Sequence, residues 1–281
     1  PAITKSVDFV KNNKELMENI NEPRFLYNIV NIFLLISFYI MIAGFSSFFK
    51  QEYDISTYIT SSLLAIFMYF ILSHKMSGII KINVLLVPLL IVTMLFISLK
   101  YGNLQALGTE STKVLPCTIS AILYASYNGI TLIPILITLN DLVQRKKEKV
   151  IVSILSAIFI IILAFGIFGM LINSNMNIKN VELPTIMILN NKIEKITYSI
   201  AIEVAILTSA VAAGYGVLEN VKEKTIVDNK KYKRIVAIMC IISIPISTIG
   251  FGNLIKTLYP LFGALGILQI VLILKNSVAK V

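Results

Sequence analysis

Apolar residues run in long blocks along this chain, and most of the polar ones are gathered between the blocks. The blocks fall at 25–49, 57–73, 79–100, 117–139, 150–172, 197–218, 235–255 and 258–275. About 20 apolar residues of helix cross a bilayer core. The second block is short at 17 residues unless it starts at Ile55. None of the blocks alternates apolar and polar residues as a barrel strand does. The pattern predicts an all-α integral membrane protein with about eight transmembrane helices, its membrane domain spanning 25–275. Only Lys256 and Thr257 separate the last two blocks, which predicts a tight turn there. Residues 1–24 are polar with scattered apolar positions and read as an amphipathic segment on the cytoplasmic surface. The stretch 173–196 contains Glu182-Leu183-Pro184 and predicts a short helix over the outer face, either a lid or a plain connector.

Composition agrees with the pattern. The chain is 57% hydrophobic and 14% charged, with mean hydropathy +0.84, far from the balance of a soluble domain. Its net charge of +10 would suit a nucleic-acid binder, but the distribution says otherwise. With the N-terminal segment inside, 18 of the 25 Lys and Arg fall in 1–24, 74–81, 140–149, 219–234 and the C-terminal tail; 7 fall in the opposite loops. That is a positive-inside signal with both termini cytoplasmic, and the basic loops suit contact with anionic lipid. Arg145-Lys146-Lys147 and the basic run from Lys230 to Arg234 therefore read as topology signals, and no nucleic-acid partner is expected. Cys117 and Cys240 lie in apolar blocks and read as packing residues. His74 stands in a short loop. No motif for a catalytic triad, a phosphate-cradling glycine loop or a zinc site is present. The chain is not expected to be an enzyme, and no organic cofactor is expected.

The chemistry lies inside the blocks. In 117–139 the middle reads Tyr124-Ala125-Ser126-Tyr127-Asn128-Gly129, with Thr131 and Pro134 following. An unsatisfied amide in hydrocarbon costs several kcal/mol, so this cluster reads either as a broken helix lining a binding site or as a kinked helix glued to its neighbours by polar side chains. The broken-helix reading makes Tyr124, Ser126, Tyr127, Asn128 and Gly129 substrate-binding residues. Ser37, Met41 and Gly44, spaced four and three apart in the first block, would line the opposite wall. Glu203 stands about two turns into 197–218; it is either an ion-coupling carboxylate or a residue near the outer end in reach of interfacial water. Thr208 and Ser209 lie on a face with Ala201, Ala205, Ala212 and Gly216. That small, hydroxylated face suits close packing, and its two hydroxyls suit a hard cation such as Na+.

Several stretches are also familiar. IMIAGFSSFFKQEY (40–53), KINVLLVPLLI (81–91), ILYASYNGITLIPIL (122–136) and LTSAVAAGYGVLEN (207–220) resemble the YkvI family of bacterial membrane proteins. That family is distantly similar to amino acid–polyamine–organocation transporters with a LeuT-like fold. The resemblance implies that the eight blocks correspond to helices 3–10 of an inverted-repeat core. The chain, which starts at Pro1, is then expected to lack its own N-terminus and two helices. The resemblance makes 117–139 the broken sixth helix, unwound from Tyr124 to Gly129, and makes Thr208 and Ser209 part of a sodium site. The implied function is ion-coupled transport, by Na+ or a proton, of a small solute such as an amino acid or organic cation across the bacterial plasma membrane. The alternative is a transporter-like sensor, akin to a germinant-receptor subunit, that binds a small solute without moving it.

Overall fold

The computed structural model describes residues 23–74, 78–102, 114–142, 145–174, 181–224 and 228–278. Among the described residues the chain is helical, with no strand. In order the helices are α1 (Pro23–Tyr53), α2 (Thr57–Ser73), α3 (Gly78–Tyr101), α4 (Val114–Leu142), α5 (Lys146–Asn173), α6 (Pro184–Ile188), α7 (Lys192–Lys224), α8 (Asn229–Ser247) and α9 (Phe251–Val278). By length and composition, four apolar stretches among the described residues can cross a membrane: Val30–Tyr53, Lys147–Ile172, Lys192–Leu218 and Phe251–Leu268. The amphipathic segment expected over 1–24 lies outside the described residues up to residue 22.

The helix ends are set by identifiable residues. Asp228 caps α8 by accepting a hydrogen bond from the Asn229 N–H at 2.7 Å. Asn191 does the same for α7, its side-chain oxygen accepting from Ile193 N–H at 2.9 Å. The tight turn expected at Lys256-Thr257 is not there; both residues lie within α9. The break falls at 248–250 instead. Pro245 near the end of α8 has no N–H to continue the ladder. Three successive short-range bonds, from Thr248, Ile249 and Gly250 back to Pro245, Ile246 and Ser247, then close the helix. Gly250 reverses the chain at φ +90°.

The described residues divide into two compact units, one within 31–108 and 163–255, the other within 1–30, 109–162 and 256–281. In the first, α2 packs along α8 and α3 along α7. One core joins Phe38 and Ile42 of α1, Met68 and Leu72 of α2, Val211 of α7 and Met239 of α8. The hydroxyls of Tyr215 and Tyr232 donate to Ile71 O and Leu72 O, each at 3.0 Å, tying α7 and α8 to the end of α2. A second core gathers Phe48, Ile97, Met170 and Tyr198 around Leu183, Ile186 and Leu189. The short helix expected over 173–196 is thus α6, seated on that second core.

In the other unit α4 and α9 approach to backbone contact: a Cβ at Gly263 would lie 2.5 Å from Leu123 O, so no larger residue fits the crossing. The first part of α5 presents Ile158, Phe159, Ile160, Ile161 and Ile162 outward, all exposed. A helix apolar on every face and left bare is what hydrocarbon, not water, accommodates.

Candidate functional site

On α7 the side chains of Lys192, Lys195, Ser199 and Glu203 recur every three to four residues and so share one face. Across from them runs the last part of α1. Lys195 forms an ion pair with Glu52 at 2.6 Å, which fixes the two helices at this end. Beside it, Glu194 accepts from the Tyr101 hydroxyl at 2.7 Å and pairs with Lys100, bringing in the end of α3.

Between α1 and α7 lies a cavity of about 500 Å³. Phe48, Phe49 and Tyr53 line it from α1, and Ile196, Ser199 and Ile200 from α7. Lys192, Lys195 and Glu52 stand at one end and Glu203 at the other. At 1.5 Å per residue, Glu203 is about 16 Å along the helix axis from Lys192. The cavity therefore grades from charged, through aromatic and aliphatic, to a single carboxylate.

Glu203 is only 8% exposed. Neither of its carboxylate oxygens has a hydrogen-bond partner among the described residues. Burying a charged carboxylate without a partner is costly, so buried carboxylates are normally paired. Glu203 is buried and lines the cavity between α1 and α7.

The α4 residues behave differently from expectation. The helix runs unbroken from Val114 to Leu142, so there is no unwound segment at Tyr124–Gly129. Its polar side chains are satisfied on the helix itself. Ser126 Oγ donates to Ile122 O and Asn128 Nδ2 to Tyr124 O, both at 2.8 Å, four residues back in each case. Such back-bonding lets polar residues sit in a spanning helix without opening it. Tyr127 is buried and stacks on Tyr259 of α9 at 4.2 Å between centroids, while Tyr124 is exposed at 59%. A Cβ at Gly129 would lie 3.4 Å from Ile270 Cδ1.

The α4 residues belong to one unit, and Ser37, Met41 and Gly44 to the other. Met41 packs against the first core. The space over Gly44 is taken by the Phe251 ring, 3.2 Å from where a Cβ would stand, and by Ile206. Thr208 is buried and donates to Ala205 O at 3.1 Å, whereas Ser209 is exposed. The two hydroxyls therefore do not share one enclosed pocket. Among the described residues, no group of three or more His, Cys, Asp or Glu could hold a metal ion.

The sequence reading overlooked Phe48, Phe49, Glu52, Tyr53, Lys192, Lys195 and Ser199. A signal was present. The α7 face carrying Glu203 is the one marked by Lys192, Lys195 and Ser199, not the small-residue face through Ala201 and Ala205.

No family model matches the chain, and no solved structure does. One curated relative is "Uncharacterized membrane protein YkvI" of Bacillus subtilis (strain 168). It is 24% identical over 244 residues, which cover 84% of this chain and 70% of the relative. The chain is a membrane protein similar to YkvI. The likeness runs through most of the chain, so it includes the helices that build the cavity.

Proposed function

We propose that this protein is a secondary transporter of a small solute, an amino acid or an organic cation, coupled to a sodium or proton gradient in a bacterial plasma membrane. The observation that carries this reading is Glu203: a buried carboxylate without a hydrogen-bond partner at the end of a cavity in a membrane-spanning helix. Ionisable groups inside a membrane are expensive, and they mark paths for ions and solutes. Lys192 and Lys195 line the end of the cavity that the basic-residue distribution would place outside. Glu203 serves the proton-coupled form of this reading, and Thr208 and Ser209, divided between a buried and an exposed position, serve the sodium-coupled form poorly. Tyr124, Ser126, Tyr127, Asn128 and Gly129 are then helix-packing residues. A LeuT-like order of helices, with the eight apolar blocks corresponding to helices 3–10, belongs to this reading. No catalytic group or organic cofactor is invoked.

The test is thermal stability of the purified protein in detergent across a panel of amino acids and amines, with sodium present or replaced by choline, followed by flux in proteoliposomes. A ligand that binds only the folded state raises Tm by mass action. A solute that raises Tm and is concentrated in vesicles when an ion gradient is imposed supports the reading. A solute that raises Tm but shows no flux under sodium or proton gradients overturns transport and leaves a sensor.

A further inference from the structure

We infer that the Glu203 cavity takes a lipophilic monoamine, bound with its ammonium against the Glu203 carboxylate and its apolar body between Phe48, Phe49 and Ile200. This rests on the reading of that cavity as the solute site and narrows it to one chemical class.

The choice follows from what the cavity offers at each depth. At Glu203 a carboxyl group is buried without a hydrogen-bond partner, and a cation brought to it is the partner that would stabilise its ionised form. A bare metal ion is the wrong shape of partner. Hard cations gather six or more oxygen ligands, whereas this end of the cavity is lined by Phe48, Ile200 and Val204 beside Ser199 and Glu203. A volume of about 500 Å³ is that of an organic ligand site rather than an ion site. Aromatic rings beside a carboxylate suit an ammonium on a hydrocarbon body.

An α-amino acid suits it less well. Its carboxylate sits next to its ammonium, so it would be held near Glu203 among aliphatic and aromatic walls. The cationic side chains that could receive it are Lys192 and Lys195, about 16 and 12 Å away along the helix axis. Lys195 is already paired with Glu52. The charges facing the cavity from both helices are therefore Glu52, Lys192, Lys195 and Glu203, and only the last is isolated at depth.

The experiment uses three matched probes on the purified chain in detergent: phenethylamine, 2-phenylethanol and phenylalanine. They share a ring and a two-carbon arm and differ in the polar end. The expected result is a rise in Tm with phenethylamine alone. In Glu203→Gln the half-saturating amine concentration rises at least about tenfold, the size of effect that follows from removing one member of a buried charge pair. An equal shift with 2-phenylethanol shows an apolar groove of the kind a lipid chain fills, and overturns the inference. An equal shift with phenylalanine overturns the monoamine class while leaving solute transport standing. Retention of amine affinity in a folded Glu203→Gln protein overturns the site. Should that variant fail to fold, the three probes on the wild-type protein still decide. Amine binding without flux in vesicles keeps the inference and removes transport, so the two failures are told apart.

Discussion

At Gly250 the backbone turns with φ +90° between α8 and α9, a conformation in which a Cβ crowds the following carbonyl. A methyl there would also lie 3.0 Å from Glu182 Oε1. The Glu182 carboxylate cannot simply retreat, because it accepts a hydrogen bond from the Gly252 N–H in the first turn of α9. Gly250→Ala is thus expected to destabilise the protein by about 1–2 kcal/mol, read as a lower Tm in detergent. An unchanged Tm would mean that the turn relaxes freely. The same residue shows what could be read at this scale beforehand. Gly250 lies inside the apolar block 235–255, but its role depends on Glu182, 68 residues earlier, and no local pattern links the two. Glu203 is the opposite case. Its place in an apolar block marked it at once, although the α1 residues that share its cavity are far away in sequence.

At the scale of elements, seven of the eight apolar blocks each lie within one helix, whereas 235–255 is divided by the turn at 248–250; hydrophobic length specifies helix more readily than it specifies where one ends. Where a helix stops or breaks is harder, since side chains decide it. Ser126 and Asn128 were read as breakers of α4, yet each bonds a carbonyl of the preceding turn and leaves the ladder intact. The strap carrying α6 illustrates the same dependence on side chains. Gln51 at the end of α1 donates to Leu183 O at 3.2 Å and accepts from Leu183 N–H at 2.9 Å. That reciprocal pair meets both backbone needs of one residue just before α6, while Tyr198 donates to Thr185 at 2.8 Å. Gln51→Ala removes both bonds and leaves a partly buried amide and carbonyl unpaired, at a cost of about 1–3 kcal/mol. It is expected to speed protease cutting near Leu183 in the detergent-solubilised protein while leaving the helix content by circular dichroism unchanged. If cutting stayed at the wild-type rate, Leu183, Ile186 and Leu189 in the second core would be holding the strap by themselves.

For the whole molecule, the direction of the chain in the membrane is the property that ties the cavity to function. Within the larger unit, two ion pairs gather the ends of α1 and α3 with the start of α7, through Glu52 with Lys195 and Lys100 with Glu194. The uneven split of Lys and Arg is the ground for proposing that this end lies outside. The assignment makes a chemical prediction. Ser56 and Lys147 are both exposed, and they fall on opposite sides of the proposed bilayer. Cys240 is buried in the first core and should stay silent, whereas Cys117 is exposed and must first be replaced. In a Cys117→Ser background, a membrane-impermeant maleimide added to intact cells is expected to label Ser56→Cys and not Lys147→Cys, with both labelled once the cells are opened. The reverse pattern would invert the proposed topology and put the Lys192 end of the Glu203 cavity on the cytoplasmic side, so that the proposed transport reading would have to run outward rather than inward.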